Sequence, residues 1–313
     1  MSSRYDRGAC GRDSTSLLAL KTMDDYLKTN QRHWNDVTPQ HVASESYDLA
    51  SFKAGANSLR SVELEELGDV AGKSLLHLQC HFGMDTLSWA RLGADVTGVD
   101  FSQQAIATAR SLASEMGIKA SFVCSNVYDL PRALDGQFDI VFTSYGVLAW
   151  LPDLTKWADV IAHFLKPGGV FYIAEEHPFA GIFDSRGENG DLAWTYPYFG
   201  GPEPMMCECE CTYAGAEPAH KTTYEWSHSL GEAINSLVGA GLRIEHVHEF
   251  PFCMYRRFTC MSRGEDGWWR LPEAYGDMPM LFSIKAVKKR ERLTKTHLLC
   301  TMHHTTDNSS IRP

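Results

Sequence analysis

The 313-residue sequence lacks an apolar run long enough to span a membrane. Its first residues, MSSRYDRGACGRDSTSLLALKTMDDYL, lack the charged and then apolar pattern of a secretory signal. Positive charge is not in excess, since 29 Lys and Arg against 39 Asp and Glu give a net charge of −10. Such a chain repels phosphate backbones and anionic lipid surfaces. We therefore expect a soluble cytoplasmic protein, monomeric or homodimeric, that binds neither nucleic acid nor membrane.

The nine cysteines include no CxxC pair and show no spacing typical of a disulfide scaffold. Three of them form the run CECEC, at Cys207, Cys209 and Cys211. Strict alternation puts all three on one face of a strand, with Glu208 and Glu210 facing water. This half-buried strand is favoured over a metal site, and no metal is predicted.

From residue 74 onward, short apolar runs alternate with amphipathic stretches, which is typical of a mostly parallel sheet covered on both faces. Strands are predicted at 74–79, 94–99, 120–125, 138–143, 168–175, 242–250 and 280–287. Helices are predicted near 84–92, 102–116, 153–165 and 229–240. The sequence thus predicts an α/β fold, a doubly wound Rossmann-like seven-stranded sheet with an antiparallel edge strand.

Two irregular segments, at about 178–228 and 251–278, interrupt this rhythm with Gly, Pro and aromatic residues. We expect them to form an inserted β-rich aromatic cap, including a hairpin between MMCECECTYAG and HKTTYEWSH. Residues 1–45 are predicted to form a helical lid, with DDYLKTNQRHWNDV as an amphipathic helix. The main domain is expected over 46–290, followed by a disordered tail over 291–313.

The stretch SLLHLQCHFGMDT joins the first predicted strand to its helix and holds a single glycine, Gly83. Ligands of open α/β sheets bind beyond the carboxyl ends of the strands, and a helix N-terminus favours a carboxylate or another anion. Asp100 ends the next strand and is placed like an acid that accepts hydrogen bonds from both ribose hydroxyls. The ligand is a dinucleotide or an adenosine with an amino-acid tail. Gln79 and His81 stand where a dinucleotide turn needs glycine, which favours the smaller ligand.

Four runs in combination resemble the class I S-adenosylmethionine-dependent methyltransferases: LLHLQCHFGMDTLSWARLGADVTGVDFS, FDIVFTSYGVLAWLPDL, LKPGGVFYIAEEHP and YEWSHSLGEAINSLVGAGL. The resemblance covers roughly residues 30–288. The sequence is similar to a small-molecule subgroup in which LHLQCHFG replaces the usual acidic-x-Gly-x-Gly-x-Gly. The resemblance implies S-adenosyl-L-methionine as the cofactor. The loss of two glycines leaves the conformation of the turn open.

The resemblance also implies a set of cofactor-binding residues. It places the turn from His77 to Gly83 under the methionine moiety, Asp100 at the ribose and Phe101 beside the adenine. The segment SNVYDL would contact the adenine, with Asn126 where the family often has Asp. The predicted set is Tyr47, His77, Gln79, Cys80, His81, Gly83, Asp100, Phe101, Ser102, Asn126, Val127 and Ser144.

Methyl transfer from a sulfonium is an in-line displacement, so the protein must align the acceptor and exclude water. A base is needed only where the acceptor carries a proton. His177, in IAEEHPF at the end of the fifth strand, is the leading candidate base, and its alternative role is to cap a turn. Glu175 and Glu176 alternate there, so one of them faces the crevice. The predicted catalytic residues are His177, Glu176 and Tyr145, the last placed by the resemblance where cofactor and substrate meet.

The predicted cap and lid supply the candidate acceptor site. Most of the aromatic residues fill a core, but aromatic faces with acidic neighbours suit an aromatic or amine acceptor. This composition favours N-methylation slightly over O- or C-methylation. The predicted substrate-binding residues are His41, Trp150, Trp194, Tyr198 and Trp226.

The leading hypothesis is an enzyme of small-molecule or secondary metabolism that transfers a methyl group from S-adenosyl-L-methionine to a small acceptor. Two alternatives stay open. One is an NAD-dependent oxidoreductase on a similar sheet, against which the missing glycines argue. The other is a non-catalytic cofactor-binding subunit.

Overall fold

The computed structural model describes residues 7–8, 22–186 and 191–290. Most of the first half of the predicted lid and the predicted tail, 291–313, lie outside these ranges. The helices are α1 (Met23–Ala43), α2 (Leu49–Lys53), α3 (Ser61–Leu67), α4 (Met84–Arg91), α5 (Gln103–Glu115), α6 (Leu130–Ala133), α7 (Leu154–Phe164), α8 (Pro178–Gly181) and α9 (Leu230–Gly239). Short 3-10 turns lie at Val127–Asp129, Leu148–Trp150 and Glu273–Tyr275. None of the helices described here has both the length and the apolar character needed to cross a bilayer.

The strands belong to one large sheet and three small ones. They are β1 (Arg7–Gly8), β2 (Ser74–Leu78), β3 (Asp95–Asp100), β4 (Ser121–Cys124), β5 (Phe138–Ser144), β6 (Leu165–Glu176), β7 (Phe183–Arg186), β8 (Asp191–Trp194), β9 (Met205–Cys209), β10 (Thr222–Glu225), β11 (Leu242–Phe250), β12 (Phe252–Cys253), β13 (Ser262–Arg263), β14 (Trp269–Arg270) and β15 (Leu281–Lys288). The small sheets are β1-β9-β10, β12-β14-β13 and β7-β8.

The large sheet has seven strands in the order β11-β15-β6-β5-β2-β3-β4. The strands from β6 to β4 pair in parallel, whereas β15 runs antiparallel to both β6 and β11. The predicted doubly wound α/β sheet, with antiparallel pairing at one edge, is confirmed. The strand order reverses at β2, so a crevice opens between the ends of β2 and β5.

Apolar cores cover both faces of the sheet, which is why its central strands read as continuous hydrophobic runs. On one face, α7 contributes Trp157, Ile161 and Phe164, which are 0% exposed. On the other, Trp89 of α4 packs with Phe142 and Tyr172. The strand β6 begins at Leu165, three residues before its predicted start, because Leu165 already pairs with Phe138 ahead of an irregularity in the ladder.

The predicted hairpin is formed by β9 and β10, which pair antiparallel with Met205 opposite Glu225. Cys207 is buried and Glu210 is exposed, as expected for a half-buried strand, while Glu208 is half-buried and accepts a hydrogen bond from Thr222 Oγ1 at 2.8 Å. The strand ends at Cys209, however, so Glu210 and Cys211 lie beyond it. The prediction that Glu208 faces water is wrong, because Glu208 is partly buried like Cys209 and Cys211.

The helix α1 lies against both the hairpin and the large sheet. The side-chain amide of the fully buried Asn30 donates to the carbonyl of Tyr224 at 2.7 Å and accepts from its N–H at 2.8 Å. On the opposite side, Gln31 donates to the carbonyl of Phe101 at 2.7 Å, directly after β3. These bonds fix α1 between the edge of β10 and the start of α5.

Candidate active site

A cavity of about 690 Å³ lies at the carboxyl ends of the parallel strands. Its wall includes the residues that follow β2, β3, β4, β5 and β6, together with parts of α1 and of the two irregular segments. This volume is in the range of small-molecule sites. The cavity therefore stands where the strand order places a ligand.

The turn after β2 has the backbone of a glycine-rich loop although it holds one glycine. Gln79, His81 and Gly83 have φ of +56°, +50° and +83°, so all three are left-handed. A left-handed conformation costs a non-glycine residue about 1–2 kcal/mol. The sequence left the conformation of this turn open. In the structure every second residue from Gln79 to Gly83 is left-handed, and two of these positions, Gln79 and His81, carry side chains.

Gly83 itself is required by packing. A Cβ at this position would lie 2.8 Å from Cε1 of Phe122, which belongs to β4, and 3.0 Å from Cβ of Ala109 in α5. The glycine lets α4 start close to its neighbours. It does not line the cavity, so its contribution to a ligand site is through the shape of the turn.

Asp100 is the acidic residue at this turn. It lines the cavity and is 9% exposed. Its Oδ2 accepts from the backbone N–H of His81 at 2.9 Å and its Oδ1 from that of Ser102 at 2.8 Å. Burial raises the pKa of Asp100 to about 6, and these N–H groups oppose the rise. Each carboxylate oxygen keeps a lone pair for a further donor.

The side chain of Gln79 bridges two walls of the cavity. Its Nε2 donates to the carbonyl of Val147, after β5, at 3.0 Å. That bond fixes the orientation of the amide, because a carbonyl can only accept. The buried Oε1 of Gln79 has no hydrogen-bond partner among the described residues. The site therefore holds a buried acceptor that a donor on a ligand can satisfy.

Glu175 shapes the wall after β5. Its carboxylate accepts from the backbone N–H groups of Val147 at 2.8 Å and Leu148 at 3.0 Å, as well as from those of Gly146 and Glu176. Burial raises its pKa to about 7, whereas the N–H groups favour its ionised form. Of the two adjacent glutamates, Glu175 is thus engaged with the backbone.

Glu176 lies on the cavity wall and is paired with Arg257 through Oε2. A Cβ added at Gly146 would lie 3.7 Å from Oε1 of Glu176, so this oxygen faces the loop after β5. Arg257 also donates to Tyr255 Oη at 3.1 Å and to the carbonyl of Ala180 at 3.3 Å. These bonds hold the glutamate in place.

His177 caps α8. Its Nδ1 accepts from the N–H of Phe179 at 3.0 Å, so Nε2 carries the proton and donates to Glu249 Oε1 at 2.8 Å. Burial lowers the pKa of His177, and Glu249 opposes the change. Both ring nitrogens are engaged, which matches the capping role, although the residue also lines the cavity.

Tyr145 has φ of +33° and donates through its hydroxyl to Glu63 Oε2 at 2.6 Å. Burial raises the pKa of Tyr145 well above its usual value and raises that of Glu63 to about 7. Tyr145 therefore stays protonated at neutral pH. It links the cavity wall to α3.

Three neutral histidines surround the turn. Burial lowers the pKa of His77 to about 3 and of His41 to about 4, and it also lowers that of His81. His41 contacts His81 at 3.2 Å between ring nitrogens, and Tyr47 contacts Tyr213 through the two hydroxyls. The helix α1 and the hairpin segment thus meet above the turn.

The cavity brings together most of the predicted site residues. They are Tyr47, His77, Gln79, Cys80, His81, Asp100, Phe101, Asn126, Val127, Ser144, Tyr145, Trp150, Glu176, His177, Tyr198 and Trp226. Gly83, Ser102 and His41 lie behind the wall; Ser102 caps α5 by accepting from Ala105 N at 3.1 Å. Trp194 lies outside the wall, is 69% exposed and donates to the carbonyl of Tyr196 at 3.1 Å. The structure gives Trp194 no contact with the cavity.

The wall residues that sequence reasoning missed include Trp34, Asp85 and Arg257. Asp85 lies inside the quoted turn sequence and accepts from Ser58 at 2.6 Å and Ser144 at 3.3 Å, so its position after Gly83 was a usable signal. Trp34 lies in the predicted lid helix. Arg257 carries no local motif, because long-range contacts bring it to the cavity, and Glu63 lies behind the wall as the hydrogen-bond partner of Tyr145.

The comparisons with known proteins agree with this geometry. Residues 75–169 match the family model of a methyltransferase domain. A solved structure from Listeria monocytogenes, assigned to the S-adenosylmethionine-dependent methyltransferases, shares the fold with a TM-score of 0.53 at 18% identity; the likeness covers 73% of this chain and 96% of that one. Residues 75–169 are thus similar to a methyltransferase domain, and the fold is shared with an S-adenosylmethionine-dependent methyltransferase; both findings agree with the family and the cofactor that the sequence predicts.

Within this class, the chain is similar to enzymes named ubiquinone biosynthesis O-methyltransferase. That of Xanthomonas euvesicatoria pv. vesicatoria (strain 85-10) is 31% identical over 136 residues, which are 42% of this chain and 56% of the relative. That of Bordetella avium (strain 197N) is 29% identical over 178 residues, 55% of this chain and 73% of the relative. The match to the first relative spans little more than half its length.

Proposed function

We propose that the protein transfers a methyl group from S-adenosyl-L-methionine to a small-molecule acceptor. The observation that carries the proposal is the placement of Asp100 beside the left-handed turn, on the wall of a cavity at the switch point of the sheet. Each oxygen of Asp100 already accepts one backbone N–H, and the remaining lone pairs suit two ribose hydroxyls.

The rest of the wall fits the other parts of the cofactor. The unpartnered Oε1 of Gln79 is an acceptor for the ammonium group of the amino-acid tail. The adenine fits beside Phe101, Asn126 and Val127. Asn126 Oδ1 already accepts from Tyr128 N at 3.0 Å, so an adenine amino group would share that acceptor.

For the acceptor we propose an oxygen atom on an aromatic ring rather than the nitrogen slightly favoured by composition. The acidic side chains of the wall are engaged: Glu175 with backbone N–H groups and Glu176 with Arg257. The buried indole N–H of Trp226 has no hydrogen-bond partner among the described residues and can donate to an oxygen. The names of the curated relatives point the same way.

When bound, the cofactor supplies a methyl group on a positively charged sulfur. The chain aligns the acceptor oxygen, excludes water and removes its proton. We assign the proton acceptor to Glu176, because Oε1 faces the loop after β5 while Arg257 holds Oε2. Trp150 and Tyr198 supply flat apolar surfaces for an aromatic ring.

Calorimetry with S-adenosylhomocysteine and with NADH tests the cofactor. We expect the first to bind with a micromolar dissociation constant and the second to release no heat. Heat with NADH alone would favour the oxidoreductase alternative.

Mass spectrometry of the chain incubated with S-adenosyl-L-methionine and matched panels of phenols and aromatic amines tests the acceptor. Methylation of amines only would return the assignment to nitrogen, and cofactor binding without turnover on extracts would favour the non-catalytic alternative.

A further inference from the structure

A second cluster of potential ligands lies outside the cavity wall. Glu66 of α3 and His246 and His248 of β11 place one carboxylate oxygen and two ring nitrogens within 4.8 Å of one another. His248 Nδ1 lies 2.6 Å from Glu66 Oε1, and His246 Nε2 lies 3.5 Å from Glu66 Oε2. None of the three residues belongs to the cavity wall.

The local sequence explains how these side chains meet. His246 and His248 are two residues apart on a strand, so they share a face. Their rings stack with centroids 4.2 Å apart and an angle of 7° between planes, which points both toward the same helix. Glu66 sits in the last turn of α3, and the hydroxyl of Tyr172 donates to its Oε2 at 2.8 Å. The carboxylate is therefore held in place by a residue of β6.

The hydrogen bonds within the cluster do not satisfy all of its polar atoms. One carboxylate can satisfy His248, but the buried Nε2 of His246 has no hydrogen-bond partner among the described residues. An unpaired buried polar atom is unfavourable. A cation bound between the three groups would use this nitrogen.

The separations suit a first-row transition ion. Ligands about 2.0–2.1 Å from a tetrahedral Zn²⁺ lie roughly 3.3 Å from one another. The pair at 3.5 Å fits this value, and the pair at 2.6 Å must open by less than 1 Å once the shared proton leaves. Imidazole nitrogens favour Zn²⁺ over Mg²⁺ or Ca²⁺, which prefer oxygen ligands. His248 is more than half exposed, so the site is accessible from solvent.

We propose that Glu66, His246 and His248 bind one Zn²⁺ ion, with water in the fourth position. Lys285 lies opposite His246 in the sheet and donates to the carbonyl of Glu66 at 2.9 Å, so its positive charge opposes the ion and lowers its affinity. The ion joins α3 to the edge strand of the sheet. The same helix carries Glu63, the partner of Tyr145, so the site stabilises one wall of the cavity.

Titration of the EDTA-stripped chain with Zn²⁺ tests the proposal. We expect one equivalent to bind with only nitrogen and oxygen neighbours in X-ray absorption, and the thermal midpoint to rise by about 5 °C at a hundredfold excess over the dissociation constant. Zinc bound to sulfur would identify cysteines as the ligands and would overturn the assignment, as would the absence of a bound equivalent. This wild-type measurement decides the question even where a variant fails to fold.

Variants identify the ligands. His246→Gln and His248→Gln should each weaken zinc binding at least tenfold, while their unfolding in EDTA matches that of the unsubstituted chain. His220→Gln is the matched control, because His220 pairs with a single carboxylate, Asp36, elsewhere on the surface. Equal binding by all three variants would contradict the site. None of these results depends on methyl transfer, so failure here leaves the proposed function untouched.

Discussion

The backbone N–H of His81 lies 2.9 Å from Oδ2 of Asp100 and donates a hydrogen bond to it. This bond joins the left-handed turn after β2 to the acid that ends β3, so the two form one unit. The bond also explains how a turn with two non-glycine residues is held, since a charge-assisted hydrogen bond offsets part of the cost of the left-handed angles.

Replacement of Asp100 tests the cofactor site. Asp100→Asn keeps the size of the side chain but removes its charge and one acceptor oxygen, so we expect the dissociation constant of S-adenosylhomocysteine to rise about 100-fold. Isothermal titration measures the effect. Asp95→Asn, at the exposed start of the same strand, should bind as the unsubstituted chain does. An unchanged constant for Asp100→Asn would remove this residue from the site.

The pH dependence of binding follows from the same carboxyl group. Its pKa of about 6 is raised by burial, and only the ionised form can accept two hydroxyl protons. Affinity for S-adenosylhomocysteine should be constant above about pH 7 and fall roughly tenfold per unit well below pH 6. Binding measured from pH 5 to 8 checks this. A flat profile in that range would show that the neutral acid also binds.

The pH dependence that Asp100 gives to folding stability is opposite in direction to the pH dependence that it gives to ligand affinity. Because its folded pKa lies above the unfolded value of about 4, the folded chain holds this proton longer than the unfolded one. The contribution of Asp100 to stability therefore falls as pH rises from about 4 to 6. Ligand binding, which needs the ionised form, strengthens over the same interval.

The left-handed angle of Gln79 makes this position sensitive to branching. Gln79→Val should lower the free energy of unfolding by about 2 kcal/mol, since a β-branched residue is strained at φ of +56°. Gln79→Gly should stay within about 1 kcal/mol of the unsubstituted chain. Urea unfolding measures both. Gln137→Val, at an exposed position without a positive φ, is the control. Equal stabilities for Val and Gly at position 79 would contradict the turn geometry.

The adjacent glutamates should respond differently to the same substitution. Glu175→Gln places an amide N–H₂ among backbone N–H donors and should lower stability by about 2–3 kcal/mol. Glu176→Gln keeps an oxygen acceptor for Arg257, so it should lower stability less than Glu175→Gln while it reduces kcat about 100-fold with cofactor affinity unchanged. Denaturant unfolding and steady-state kinetics separate the two effects. If Glu175→Gln mainly lowered kcat and Glu176→Gln mainly lowered stability, Glu175 would be the proton acceptor and Glu176 the structural residue.

His177→Asn separates capping from catalysis. Asparagine is a good N-cap residue, so the variant keeps the bond to Phe179 N and should retain stability and most of the turnover. A loss near 100-fold in kcat at normal stability would show instead that His177 acts as the base. Turnover of the best acceptor, with thermal unfolding as the control, gives the answer.

The sheet could be predicted because its signals are local. The strand β2, with Leu75, Leu76 and Leu78 fully buried, reads as an apolar run, and β11 has the bounds predicted from the sequence. The ends of the predicted sheet strands and of the helices between them differ by a residue or two, except at β6, where pairing with β5 extends the strand across Pro167 and its glycines. In this segment, pairing with β5 outweighs the tendency of Pro167 and the following glycines to delay the start of the strand. The predicted lid helix is also too short, since it ends at Val37 whereas α1 continues through Pro39 to Ala43.

The candidate site was predictable where residues follow the strands directly. Gln79 follows β2, Asp100 ends β3 and Asn126 lies two residues after β4, and the sheet brings such positions together. Arg257 reaches the cavity from an irregular segment, so no spacing in the sequence predicts its position there. Trp194 was predicted to bind the substrate because it is an aromatic residue of the predicted cap, but its side chain faces solvent.

The paired bonds of Asn30 with Tyr224 have a mechanical consequence. Through its amide, a helical side chain occupies the hydrogen-bonding positions that a neighbouring strand would take at the free edge of β10. The backbone N–H and carbonyl of Tyr224 are therefore not free to pair with an added strand, and a movement of α1 away from β10 would break both bonds.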